Sequence, residues 1–159
     1  VVRTRCVVDG CARFNPCSVH GGQYTVVTGP PCSGKSTYIR EHGAVGDVVV
    51  DFDSLAGALS PWSPGWNHPE HVRELVRSLR VGVIRWVLDR RSEGGPHLWV
   101  IDTALNGGVA EEARWRRDGA AVVELNPGLA VCLERANRER PDHVPELIRA
   151  WYRHRGLSA

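Results

Sequence analysis

The sequence predicts an α/β fold in which a short parallel sheet is flanked by helices, with a small cysteine-rich segment ahead of it. Three observations lead there. From residue 23 onward, short runs rich in Val and Ile alternate with helix-like segments, the pattern of strands joined by crossover helices. The string Gly29-Pro30-Pro31-Cys32-Ser33-Gly34-Lys35-Ser36 follows the first of those runs and fits G-x-x-x-x-G-K-[ST] at every fixed position. At 159 residues the chain has the length of one ordinary domain with a real core.

Taken in order, the first strand is expected over Gln23–Thr28, the second over Asp47–Asp51, the third over His97–Asp102 and the fourth over Ala120–Leu125. Each is short and β-branched, as strands buried on both faces are. Helices are expected over Ser36–Glu41, Ser54–Leu59, Pro69–Arg91, Ala110–Asp118, Leu129–Asn137 and Pro145–Arg155. The long third helix opens on Pro69-Glu70, a proline at an early helical position followed by an acid in the first turn. Its Val72, Leu75, Val76, Leu79, Val83, Ile84, Val87 and Leu88 recur at helical spacing and predict a core face. The segment from Ser60 to Asn67 has no period and carries Trp62 and Trp66, suited either to stacking on a base or to packing at a sheet edge. Gly21-Gly22 makes a joint, so that residues 1–22 form one unit and 23–159 the main domain.

The glycine-rich string is where the chemistry is most legible. Glycines let backbone N–H groups wrap phosphates without a Cβ in the way, and the loop feeds a helix N-terminus that favours anions. Residues Gly29 through Thr37 are therefore expected to bind a nucleoside triphosphate, with Lys35 reaching the outer phosphates and Ser36 holding Mg²⁺. Lys35 is the only lysine in the chain, the other cations being arginine. A net charge of +2 neither demands nor excludes nucleic acid. No apolar stretch approaches the roughly 20 residues that span a bilayer, and the start of the chain has no apolar signal-peptide core. A cytoplasmic location without membrane contact is expected.

Ahead of the domain, Cys6-x4-Cys11-x5-Cys17-x2-His20 offers three thiolates and an imidazole around a turn-rich loop. Zinc asks for four such ligands in a tetrahedron. The segment resembles the zinc knuckle that opens many small phage HNH nucleases, although the His-Asn-His core of those enzymes has no counterpart here. Cys32 and Cys132 stand apart from this group and are expected to be packing residues. His42, His68, His71, His97, His143 and His154 lack metal spacing and are expected to be surface or internally satisfied histidines.

In open α/β sheets ligands lie beyond the carboxyl ends of the strands, which draws attention to Asp51, Asp53 and Asp102. A hydroxyl that attacks a phosphoryl group needs a carboxylate to orient it and take its proton. Asp53 is the candidate base, Asp51 an alternative or a helix cap, and Asp102 an acid able to hold Mg²⁺ through water. The order of phosphate loop, Val50-Asp51-Phe52-Asp53, Ile101-Asp102-Thr103 and an arginine-rich helix end resembles the 5′-kinase domain of phage polynucleotide kinases, within the P-loop kinases. That resemblance, over residues 24–155, implies Asp53 as general base and a lid whose arginines clamp the donor phosphates. Arg135, with Arg138 or Arg140, inherits that role by position. It implies ATP and Mg²⁺ as cofactors and a nucleic acid with a 5′-hydroxyl end as substrate. One departure stands out: where the family has an arginine shortly after the catalytic aspartate, this chain has Leu55-Ala56-Gly57-Ala58. Two other expectations therefore stand beside the first, a kinase of nucleosides, nucleotides or other small molecules, and a nucleotide-binding nucleic-acid module with little hydrolysis. Arg73, Arg77 and Arg80, or Arg114, Arg116 and Arg117, are candidates for a nucleic-acid track or for ordinary polar helix faces.

Overall fold

The computed structural model describes residues 24–63, 67–90, 96–105 and 108–157. The candidate zinc ligands Cys6, Cys11, Cys17 and His20 lie outside the described residues, as does Trp66. Four strands form one parallel sheet: β1 (Tyr24–Thr28), β2 (Val48–Val50), β3 (Leu98–Ile101) and β4 (Ala121–Glu124). Their order is β2-β3-β1-β4, with Val26 level with Val100 on one side and Val122 on the other. The central strand β1 is buried at all five positions, which is why it reads as a continuous apolar run and not as an alternation. Its buried Thr25 hydroxyl is hydrogen-bonded to His97 Nε2 at 3.0 Å, so His97 is internally satisfied as expected.

Six helices cover the sheet: α1 (Lys35–His42), α2 (Phe52–Leu59), α3 (Glu70–Asp89), α4 (Gly108–Arg117), α5 (Leu129–Glu139) and α6 (Val144–His154). Period-two alternation sends Tyr24 and Val26 to one face of β1, packed with Val50, Val87, Val100 and Trp115. Val27 faces the other layer with Tyr38, Ile39, Trp99 and Val123. Each expected strand and helix is present, with ends shifted by a residue or two. The apolar face of α3 is narrower than expected. Val72, Val76 and Val87 are buried, but Leu75 and Leu79 are 49 % and 38 % exposed, because the N-terminal half of α3 packs on one side only, against Ala56 of α2.

After β4 the chain makes a helical hairpin, α5 against α6, around Cys132, Ala136, Val144, Ile148, Trp151 and Tyr152. Three side chains of α6 and its end tie it to the sheet. Trp151 Nε1 donates to the Thr103 carbonyl at 2.8 Å. The Tyr152 hydroxyl donates to Asn126 Oδ1 at 2.6 Å. Arg155 reaches Glu124 Oε2 at 2.6 Å and Glu112 Oε1. Cys132 is fully buried and Cys32 packs against its cluster, so both are packing residues as the sequence suggested. Among the described residues no helix is long and apolar enough to cross a membrane.

Candidate active site

The loop between β1 and α1 is folded as a cradle. Gly29 takes φ 142° and Gly34 takes φ 97°, values open to glycine and strained for other residues. At Gly29 space is also closed, since a Cβ would lie 2.2 Å from the Leu125 carbonyl oxygen. Gly34 precedes α1 without any side-chain cap, leaving the first N–H groups of that helix to the solvent side, where an anion would be held. Cys32 is a non-glycine residue in the left-handed region, at φ 63°. It is held there by Ser33 N–H donating to the Pro30 carbonyl at 3.2 Å and by Arg135 Nη1 donating to its own carbonyl at 3.1 Å.

Lys35 is buried, and its Nζ donates to the carbonyls of Gly29 at 2.9 Å and Pro30 at 2.7 Å. Burial pulls its pKa down to about 8, against the opposing pull of Cys132, Cys32, Asp102 and Asp51. Ser36 and Thr37 are exposed on the first turn of α1. Among the described residues the buried hydroxyls of Thr28 and Ser33 have no hydrogen-bond partner. A cradle that a Cβ would fill, an uncapped helix start and two orphaned hydroxyls together fit a bound polyphosphate and the Mg²⁺ that accompanies it.

The acids stand on the β2 and β3 side of this loop. Asp51 is the N-cap of α2 and accepts from Ser54 Oγ at 2.6 Å. Asp53 lies in the first turn of α2. Its side chain is exposed, yet partial loss of hydration and then the Asp51 charge raise its carboxyl pKa, while Arg140, His68 and Lys35 act in the opposite direction. Asp102, at the end of β3, accepts from Arg80 Nη2 at 2.9 Å through Oδ2 and from the Ala104 N–H at 2.9 Å through Oδ1. The second bond holds Ala104 at φ 50°. Each oxygen keeps one lone pair, so Asp102 can accept a further hydrogen bond, such as one from water.

The three arginines expected to form a lid separate. Arg135 touches the phosphate loop, and its Nη1 would be 3.8 Å from a Cβ at Gly34. Arg140, the C-cap of α5, lies on the Asp53 side, where its charge opposes the rise of that carboxyl. Arg138 is turned outward onto Glu134 at 2.8 Å, both side chains being well exposed. Arg80, read from the sequence as part of a nucleic-acid track or a polar helix face, is instead paired with Asp102, at the end of a distant strand. Arg73 and Arg77 both pair with Glu70, Arg114 with Glu111 and Arg116 with Glu112. Among the described residues no group of three or more His, Cys, Asp or Glu side chains is arranged to hold a metal ion.

His68 departs most from expectation. It is 6 % exposed, so it is not a surface histidine, and among the described residues neither ring nitrogen has a hydrogen-bond partner. On the opposite flank of the loop, beyond β4, an open cavity of about 560 Å³ is lined by Asn126, Pro127, Gly128, Leu129, Tyr152 and Leu157, among others. No protein-family model and no curated protein matches the chain. Among solved structures it is similar to the tunicamycin resistance protein of Deinococcus radiodurans, at 20 % identity and a TM-score of 0.47, over 82 % of this chain and 80 % of that one.

Proposed function

We propose that the protein is a phosphotransferase that moves the γ-phosphate of ATP to a hydroxyl acceptor. The observation that carries this reading is the arrangement of a phosphate cradle, with Lys35 inside it, beside a solvent-accessible carboxylate, Asp53, whose pKa is raised. The cradle is central because it follows β1, with the acids after β2 and β3 on one side and the open cavity after β4 on the other. A triphosphate on the loop would direct its terminal phosphate toward the acids and leave the nucleoside on the cavity side.

In that arrangement Asp53 accepts the hydroxyl proton as the acceptor oxygen bonds to the γ-phosphorus. The bond from that phosphorus to the bridging β–γ oxygen breaks, and ADP leaves. Lys35 and Arg135 spread the charge that builds on the phosphoryl oxygens. Ser36 would hold Mg²⁺ directly and Asp102 through water, the ion neutralising the same charge. Arg140, sitting near Asp53, is assigned to the acceptor side of the transferred group. Arg138 is left without a role in the cradle.

The acceptor divides two readings. The motif order supports the 5′-hydroxyl end of DNA or RNA. Against a phosphate-rich acceptor stands the pairing of Arg73 and Arg77 with Glu70 and of Arg80 with Asp102, which favours a small hydroxylated acceptor. Transfer of labelled γ-phosphate with Mg²⁺ to a 5′-hydroxyl oligonucleotide, beside free nucleosides and simple polyols, tests both. Asp53→Asn is expected to lower kcat by about 10²–10⁴-fold with little change in nucleotide binding. If Asp53→Asn or Lys35→Ala transferred phosphate at the wild-type rate, the assigned site would be wrong. Because Asp53 must be ionised to act, the acid limb of kcat/KM should fall at a pH above the ordinary aspartate value. The Cys6, Cys11, Cys17 and His20 set is proposed to hold one Zn²⁺, which metal analysis of the purified chain would count.

A further inference from the structure

Helix α3 buries one long side, through Val72, Val76 and Val87, and leaves the opposite side uncovered among the described residues. On that uncovered side Leu75, Leu79, Val81 and Trp86 are between 38 % and 66 % exposed. Apolar side chains scattered singly over a surface need no explanation, whereas a contiguous group marks an interaction site. At 3.6 residues per turn, Leu75, Leu79 and Trp86 fall along one edge of this side and Glu74, Val81 and Arg85 along the other. Ser78 and Gly82 lie between the two edges. Nothing stands within 4 Å of where a Cβ on Gly82 would be, so the backbone there is open to close approach by another helix. Arg90 lies over the Trp86 ring at 4.1 Å, which steadies a large side chain that is still half exposed.

The charges on this side point to the partner. Elsewhere on α3 Arg73 and Arg77 pair with Glu70, and Arg80 pairs with Asp102. The Glu74 carboxylate and the Arg85 guanidinium, by contrast, have no partner among the described residues. They stand eleven residues apart, and so do Leu75 and Trp86. Both spacings are centred near residue 80, midway between Ser78 and Gly82. We infer that α3 is the contact surface of a symmetric dimer, in which it packs antiparallel on α3 of a second copy about a two-fold axis level with residue 80. Such an axis carries each edge of the helix onto the same edge of its partner. Leu75 then meets the partner's Trp86, Glu74 meets the partner's Arg85, and Ser78 faces the partner's Gly82, each contact occurring twice. A parallel pairing would set Glu74 against Glu74 and Arg85 against Arg85, and like charges face to face are strongly disfavoured. The apolar edge supplies affinity in this dimer, and the charged edge fixes direction and register. A pair of 20-residue helices, each about 30 Å long, is at the small end of stable interfaces. The dimer is therefore expected to depend on concentration. The inference makes no use of the phosphotransferase reading.

The test is sedimentation of the full chain from low to high micromolar concentration. The mass should rise from 17.5 kDa toward twice that value. Glu74→Arg and Arg85→Glu should each weaken the dimer by about tenfold or more, since each sets two pairs of like charges face to face. Mixed in equal amounts, the two variants should form a heterodimer as tight as the wild-type dimer, because every facing pair is then opposite in sign. Trp86→Ala should weaken association by a similar factor, and thermal scans of the dilute variants check that each one folds. A wild-type chain that stays monomeric throughout overturns the inference. So does a dimer that none of these variants weakens, which would sit on another surface. A mixture of the two charge variants that remains monomeric overturns the antiparallel register. If the wild type is monomeric and Trp86→Ala lowers its melting temperature by several degrees, the apolar edge is covered by another part of the same chain and the dimer fails.

Discussion

At the scale of single residues, Lys35 has the most to lose and gain from its position. Burial lowers its pKa to about 8, below the ordinary lysine value near 10.4. Below about pH 8 the folded protein therefore carries a buried charge at a cost of roughly 3 kcal/mol. Between pH 8 and the ordinary value the folded state has released this proton and the unfolded state still holds it. The Lys35 contribution to stability thus becomes more favourable as pH rises through that window. A triphosphate placed at Nζ restores the reason to be charged. Nucleotide binding should therefore take up close to one proton at pH 9 and almost none at pH 6.5. Calorimetric titrations in buffers of different ionisation enthalpy measure this, and the uptake should vanish in Lys35→Met. Uptake that does not change with pH would mean that Lys35 does not meet the nucleotide.

At the scale of elements, the α5–α6 hairpin carries Arg135 to the loop between β1 and α1 and Arg140 toward Asp53, so its attachment decides whether those two arginines are in place. That attachment depends on Arg155, which bridges Glu112 of α4 and Glu124 of β4 and lies over the Trp151 ring at 4.4 Å. The Arg155 and Glu112 side chains are only 11 % and 9 % exposed. Removing one member of a buried pair leaves the other uncompensated, typically at a loss of about 3–5 kcal/mol. Arg116, 3.6 Å from Glu112, offsets part of this. Arg155→Met should lower the melting temperature by about 10 °C, at roughly 2–4 °C per kcal/mol for a domain of this size. Adding Glu112→Gln should return much of the loss, since the stranded charge is then gone. If Arg155→Met melts like wild type, the bridge does not hold the hairpin. The hairpin helices were legible in the sequence from their period. Their clasp was not, because Glu112, Glu124 and Arg155 are brought together only by the sheet.

For the whole molecule, the proposed nucleotide site would link binding to global stability. A ligand held only by the folded state adds about 2.7 kcal/mol at one hundred times its dissociation constant, equivalent to roughly 5–10 °C here. Mg·ATP should raise the melting temperature by that amount in the wild type and by little in Lys35→Ala, as thermal scans with and without nucleotide would show. The sequence by itself determined what depends on neighbours in the chain. The four strands follow from short β-branched runs, the helices from their apolar period, and the phosphate loop from Gly29, Gly34, Lys35 and Ser36, because backbone conformation and periodic burial are local properties. The positions of Asp51 and Asp102 directly after β2 and β3, and of Asp53 two residues further on, were legible for the same reason. The tertiary structure alone decided the strand order β2-β3-β1-β4, the capture of Asp102 by Arg80, the separate placements of Arg135, Arg138 and Arg140, and the burial of His68 with no hydrogen-bond partner among the described residues. These are pairings between residues far apart in the chain, and no local pattern records which distant group a charge or an imidazole will meet once the sheet closes.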